Sequence, residues 1–503
     1  MPKERMQESR FDFRGGWNTM TSSRSLNPNE LVLGTNARLS KTHNGFSKRL
    51  GTRRMHLTAI TGGVKNVIQS EVSGTGLAWT TVAIGNGDLF WKQNAYGNFS
   101  SISPTPAFGN IFTGVHFMEM RDPATNGQVE LWIGDGVNVH RLQSPATLSN
   151  RTTFGANVPT SVDLIANYHT RAIWRDDRFL QKIIWSVLGD PDDGTVGLED
   201  QGGEAQVSAQ SADKIQQFAV VGSSLLLATN NSISRYTGYS TRDIQIEQDT
   251  EGITADHGCV GPLAFLAIED LAIAMDKRDV FAINEQQILP IGTKIRPEII
   301  ALDRSKTQAI VVGYHPGLRE VWIAVPGAGD SGLNKTVFVY SMELGAWMGP
   351  WTYPFGITCF APFADLTTRD EGLMSGATDG FVRHMDTGTQ DDVLADASGG
   401  TDYTMTVEPS PVMFQTGPGQ VKTLERVLLE AEVPSGTNLI MKHAFDTGAL
   451  TSKTIAGVAG GVQDYRVDAH DQGKILRLQW EVTTAALVTV HGYNILAFDM
   501  QRN

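Results

Sequence analysis

Three clusters in this 503-residue chain have residue types that chemistry could use. Gly327-Ala328-Gly329-Asp330-Ser331-Gly332 has the glycine spacing of a dinucleotide fingerprint. It joins two strand-like runs with no helix to aim at a pyrophosphate, so a nucleotide role is not expected. The acidic turn Gly189-Asp190-Pro191-Asp192-Asp193-Gly194, continued by Glu199 and Asp200, offers hard oxygen ligands. It lacks the one-three-five spacing of a calcium loop and reads as a surface turn, with a divalent cation near Asp190 left open. His257 stands beside Cys259, and two ligands do not close a zinc site. Cys259 and Cys359 are the only cysteines and are expected to be small buried hydrophobes. No phosphate-binding loop, nucleophile elbow or His-Glu-x-x-His helix occurs. No catalytic, metal or cofactor residue is therefore assigned, and the chain is expected not to be an enzyme. Paired carboxylates for glycoside cleavage could meet only through the fold, and no sequence feature marks such a pair.

Any such residues would be held by one phrase that recurs seven times: an apolar-rich run, a polar turn and a second run. The copies are Val82-Ala83-Ile84 to Leu89-Phe90-Trp91 around Asn86, Leu131-Trp132-Ile133 to Val137-Asn138-Val139 around Asp135, and Arg178-Phe179-Leu180 to Ile183-Ile184-Trp185 around Lys182. Leu225-Leu226-Leu227 to Ile233-Ser234-Arg235 and Leu271-Ala272-Ile273 to Val280-Phe281-Ala282 follow. Val321-Trp322-Ile323 to Val337-Phe338-Val339 and Leu373-Met374-Ser375 to Phe381-Val382-Arg383 complete the set. The centres step by 49, 47, 48, 47, 53 and 49 residues, enough for one four-stranded propeller blade each. Trp132, Trp185 and Trp322 sit at equivalent places and are expected to pack between blades.

The fold class expected is all-β: a β-propeller of seven blades, six fitting nearly as well, with an extended N-terminal arm and a C-terminal β-sandwich or jelly-roll-like domain. The boundaries are 1–45 for a basic arm without sustained periodicity, 46–387 for the propeller, 388–400 for an acidic linker, and 401–503 for the sandwich. The last rests on alternation in Arg426–Ala431, Lys474–Trp480 and Val488–Val490. Closing the ring would bring the segment after Lys48 beside the blade around Asp379.

Composition describes an ordinary globular chain, with 41% hydrophobic and 19% charged residues. The most apolar window, Leu263 to Met275, is broken by Glu269 and Asp270 and falls short of the roughly 18–20 residues a membrane span needs. Met1-Pro2-Lys3-Glu4-Arg5 has no apolar stretch behind it, so no secretory signal is expected and folding in the cytoplasm is. Charge is asymmetric: residues 1–55 carry a net +7, and the remainder −20. A basic arm on an acidic body suggests that the arm seeks an acidic neighbour and the body repels polyanions.

The arm reads Phe13-Arg14-Gly15-Gly16-Trp17-Asn18-Thr19, Leu26-Asn27-Pro28-Asn29-Glu30, Asn36-Ala37-Arg38-Leu39, then Gly45-Phe46-Ser47-Lys48-Arg49-Leu50-Gly51-Thr52. With Arg175-Asp176-Asp177-Arg178-Phe179, Gly189-Asp190-Pro191, Arg235-Tyr236-Thr237-Gly238, Gly258-Cys259-Val260-Gly261-Pro262, Lys294-Ile295-Arg296-Pro297 and Gly376-Ala377-Thr378-Asp379-Gly380, that order resembles tail tube, or nozzle, proteins of short-tailed bacteriophages. The resemblance implies a structural subunit of the virion tail, a homo-oligomeric and six-fold ring below the portal and adaptor, assembled in the bacterial host cytoplasm. Its implied partners are further copies of itself, portal or adaptor proteins, and tail spike, fibre or needle proteins. Double-stranded DNA would pass the channel during genome ejection without sequence-specific binding. In that setting Phe11, Phe13, Arg14, Trp17, Arg38, Arg49, Arg53 and Arg54 would form a partner-docking arm, aromatic anchors and arginines being the usual interface hot spots. The alternative is a glycan-binding or glycan-cleaving propeller, because one fold hosts many functions.

Overall fold

A computed structural model of the chain describes residues 5–42, 44–70, 80–85, 87–92, 96–103, 108, 116–122, 128–144, 147–150, 158–159, 161–176, 179–197, 199–207, 213–240, 242–247, 257–285, 287–364, 371–413 and 421–499. The repeated phrase is the second and third strand of a four-stranded antiparallel meander. Six of these meanders are free-standing sheets, and the remaining one, the sixth in chain order, from Val311–His315 to Ala346–Thr352, continues into a larger sheet. Their first strands are Asn66–Ser70, His116–Asp122, Val162–Tyr168, Ile215–Val221, Phe265–Ile268, Val311–His315 and Ile357–Ala364. Each packs against the next, and the last packs back on the first, so the meanders close a β-propeller.

Second strands are the most apolar because neighbouring blades cover both of their faces. Thr80–Gly85, Arg171–Asp176, Ser224–Thr229 and Glu320–Val325 are buried at every position. Trp132, Trp185 and Trp322 are buried, and Trp185 lies 6.0 Å from Tyr236 of the following blade. The third copy of the phrase is displaced: its second strand is Arg171–Asp176, and the run expected there falls on the turn before Lys182–Trp185. An exposed Phe179 in that turn imitates a core residue. Asn86, Asp177 and Arg178 lie outside the described residues.

The ring is closed by chain from both ends of the repeat. Thr52–Arg54 supplies the outermost strand of the last blade, pairing antiparallel with Val382–Met385. What precedes it is not the free arm expected over 1–45, of which Met1–Glu4 and His43 lie outside the described residues. Arg5–Arg10 pairs along its length with Thr489–Asp499, the hairpin of Ala37–Leu39 and Phe46–Lys48 extends the same sheet, and Glu30–Thr35 pairs with Thr404–Pro409. The arm thus completes both sheets of the C-terminal sandwich. Its strands are two to six residues long, too short to leave a period in the sequence.

Propeller and sandwich are joined by more than a linker. Gly34 bridges to Gly349 on the outer strand of the sixth blade, which makes blade and sandwich one sheet. Trp322, Met348 and Trp351 of that blade share one core with Met405, Val407, Trp480 and Tyr493. The acidic stretch 388–400 is pinned as well, with Val393 bridged to Arg53 and Asp391 to Thr401. Gly51 makes this approach possible, because a Cβ there would stand 1.8 Å from the Gln390 carbonyl oxygen. We expect Gly51→Ala to destabilise the protein by about 3 kcal/mol or more, since backbone must move to admit the methyl. Thermal unfolding would show it, and an unchanged midpoint would refute the close approach.

Candidate interaction site

The eight residues read as a docking arm divide by burial. Phe13 is fully enclosed, edge-on to Phe46 at 5.1 Å, and Trp17 packs on Phe338 at 5.5 Å. Arg38 donates from Nη1 to both oxygens of Asp386 at 2.7 and 2.8 Å, and from Nη2 to Glu320 at 3.0 Å. Arg49 is fully buried. It makes a two-pronged pair with Asp391 at 2.9 and 2.6 Å, and its remaining donors reach Asn36 Oδ1 and the carbonyls of Leu50 and Thr352. Tyr353 and Tyr403 contact the guanidinium at 4.2 and 3.9 Å. Arg53 lies 4.1 Å from the Tyr96 ring and bonds the Ala395 carbonyl. Arg54 holds Asp392 through two bonds at 2.8 and 2.6 Å.

The acidic neighbour sought by these cations is therefore in their own chain. Four of the eight, Arg38, Arg49, Arg53 and Arg54, build an internal seam where arm, last blade and the 388–400 stretch meet, while Phe13 packs inside the sandwich and Trp17 against the sixth blade. This corrects the expectation that all eight face a partner: strand pairing draws the arm into the sandwich, and burying its arginines requires matched carboxylates. Asp392 also accepts from Arg383, which reaches Asp379 with its other bonds. Burial alone would raise the Asp392 carboxyl, but Arg54 and Arg383 outweigh it and hold it below the ordinary range. Phe11 and Arg14 stay on the surface, Arg14 paired to Asp12 at 3.1 Å. Of the eight, these two alone are exposed.

His56 locks the same seam and was missed in the sequence, where nothing distinguishes it from ten other histidines. It is buried between Phe99 and Phe381, with Nδ1 2.7 Å from the Thr58 carbonyl oxygen and Nε2 accepting from the Val382 amide at 2.8 Å. That geometry needs the neutral ring with its proton on Nδ1. Burial pushes its pKa down to about 4, and does the same for His116 and His315.

Elsewhere the sequence clusters hold turns together. Asp190 accepts from the Asp192 amide, Asp193 from the Thr195 amide and hydroxyl, and Asp330 from the Gly327 amide. Both cysteines are buried and free, and burial pushes their thiols up to about 12. His257 pairs with Asp276 at 3.4 Å and lies against Phe281. Among the described residues no group of three or more His, Cys, Asp or Glu is placed to hold a metal ion. No described helix is long and apolar enough to cross a membrane.

No family model matches the chain, and no curated protein is similar to it. Solved propeller-containing structures align with it weakly. The WD40 domain of Neurospora crassa Pan2 is 10% identical, with 66% of this chain and 97% of that one covered at a TM-score of 0.40. YCF48 bound to D1 peptide is 9% identical, with 67% and 96% covered at 0.38. The extracellular domain of a one-component system from B. thetaiotaomicron is 10% identical at 0.42, and the alignment covers 68% of this chain but only 40% of that one.

Two outcomes follow from the seam. Arg49→Leu should cost about 3–5 kcal/mol by stranding Asp391 in the interior, whereas Arg14→Ala should leave the denaturation midpoint in place. Equal effects from the two variants would contradict the burial described. For the histidines, the folded pKa lies below the unfolded value near 6.5, so stability is complete above pH 6.5 and declines as pH falls toward 4. Each buried histidine contributes on the order of 3 kcal/mol to that decline. Denaturant melts across this window should be shallower for His56→Gln than for the parent chain, and parallel curves would rule the histidine out.

Proposed function

We propose that the chain is a structural subunit of a short-tailed phage virion, part of the tube or nozzle ring below the portal through which DNA leaves. One observation carries the reading: the arm motifs and the Gly376–Gly380 motif behind the resemblance lie where arm, sixth and seventh blades and sandwich join, and meet the strictest backbone demands there. Asn36 adopts a left-handed conformation at φ 53° and binds Arg49, which sits in the Lys48–Thr52 motif. Gly16 is left-handed at φ 73° and lies against the Trp347 backbone, and Gly51 admits the Gln390 carbonyl. Asp379 and Gly380 complete the facing side, Gly380 against Ile60 and Asp379 on Arg383. What the motifs encode is a way of joining a propeller to a sandwich, an architectural property suited to an assembly subunit.

Electrostatics supports the same role. Arg38, Arg49 and Arg54 are engaged by carboxylates of the chain itself and offer nothing to phosphate. The chain as a whole keeps a net charge of −13. A duplex passing such a surface releases few counterions and gains little by sticking. Phe11, Met20 and Arg14, exposed on the arm, would meet a neighbouring subunit or the adaptor. Electron microscopy of the purified chain, alone and with portal complexes, tests this. Rings with a central channel wide enough for a duplex are expected. Monomers that ignore the portal, or that cleave host polysaccharide, would overturn the reading.

A further inference from the structure

The sandwich has one end fused to the propeller and one end open. At the open end the last strand of one sheet is Thr451–Ala456, and the last strand of the other is Gln463–Asp468. An edge strand presents unpaired amide and carbonyl groups, and proteins usually blunt such edges by keeping them short, charged or bulged. The outer blade strands obey this: Ser100–Ile102, Thr147–Asn150, Gly203–Gln206, Gln245–Glu247 and Ile288–Pro290 have three or four residues. Gln463–Asp468 is longer but carries exposed Asp464, Arg466 and Asp468, the last two paired at 2.9 Å.

Thr451–Ala456 has only one of these protections, a single lysine. It is six residues long, exposed at every position but Ile455, and runs in unbroken register with its inner neighbour from Asn438↔Ala456 to His443↔Thr451. Lys453 is its single charge. Exposed Leu450 and Val458 flank it. Between the two edges lies a groove of about 340 Å³, with Lys453 and Ile455 on one wall and Tyr465, Arg466, Val467 and Asp468 on the other, Asp468 being held by Arg466. Its floor is the margin of the large core, to which Ile455 and Val467 belong and against which Tyr465 packs.

Two polar groups in the groove lack a counterpart among the described residues. The Tyr465 hydroxyl is shielded from solvent and makes no hydrogen bond. Lys453 forms no ion pair, although it shares a face with Ile455 and therefore looks into the groove. A hydroxyl and an ammonium on residues lining one groove are both donors, and a carboxylate is the group that accepts from such donors.

We infer that this open edge is a docking site for an extended acidic segment of another protein, which adds to the sheet as a further strand beside Thr451–Ala456. The backbone of the incoming strand would pair with the free edge, as in other cases of strand addition. Its alternate side chains would enter the groove, an aspartate or glutamate opposite Lys453 and within reach of Tyr465, with β-branched neighbours over Ile455 and Val467. This site is independent of the seam and of the ring proposed above.

The test uses the full chain and two fluorescein-labelled nine-residue peptides, one alternating valine with aspartate and the other valine with lysine. Fluorescence anisotropy should show saturable binding of the aspartate peptide and at least tenfold weaker binding of the lysine peptide. Lys453→Glu should reverse that preference, and Tyr465→Phe should weaken the aspartate peptide several-fold. Both substitutions are at the groove surface, and unchanged thermal melts would exclude unfolding as the cause. Absence of saturable binding, or a preference indifferent to Lys453→Glu, would overturn the inference. So would a self-association, measured by sedimentation, that excludes the peptide, because the edge would then belong to a second copy.

Discussion

A guanidinium taken out of water must find all its hydrogen bonds in the protein, and Arg49 does so at the one place where three segments of chain cross. Its partners come from Asn36 and Leu50 of the N-terminal region, Thr352 of the sixth blade, and Asp391 beyond the seventh. Tyr353 and Tyr403 lie against it, and the Tyr403 hydroxyl bonds the Arg49 carbonyl. None of these groups can shift alone without leaving a buried charge short of a partner. The site thereby fixes the register of the closing strand, the path of 388–400 and the entry into the sandwich together. Apolar packing supplies most of the stability of such a fold, but it is tolerant of small displacements; this arrangement is not.

The propeller was legible because its signal is collective. Second strands such as Leu225-Leu226-Leu227 need apolar residues on both faces, and seven copies at a near-constant interval outweigh irregularities in any one. The largest error of register came from Phe179, an aromatic residue exposed in a turn, which a pattern of residue types cannot tell from one in a core; Val137, likewise exposed in a turn, misled in the same way. Closure near Asp379 was legible too, since a ring of sheets leaves few places for its ends to meet.

The fate of the arm was not legible. Strand partners hundreds of residues apart leave no periodic trace, and strands of two to six residues give alternation too little length to register. The charge asymmetry did point to a real attraction, basic start toward acidic partner. It did not reveal that Asp386, Asp391 and Asp392 of the same chain would be that partner, because spacing along a sequence carries no information about such a return. His56 and the open edge at Thr451–Ala456 were hidden for a related reason: each owes its character to what surrounds it, or fails to.

The sandwich is sewn from the two extremes of the described chain. Ser9 and Asn494, 485 positions apart, are bonded neighbours within the pairing of Arg5–Arg10 and Thr489–Asp499. On the ribosome, the first of these strands therefore emerges long before its mate exists, while the blades between them can form from local contacts as they appear. The propeller is built to fold as it is made, and the sandwich is built to wait. Until Thr489–Asp499 has been made, its early strands are open edges, exposed to whatever other nascent polypeptide is nearby.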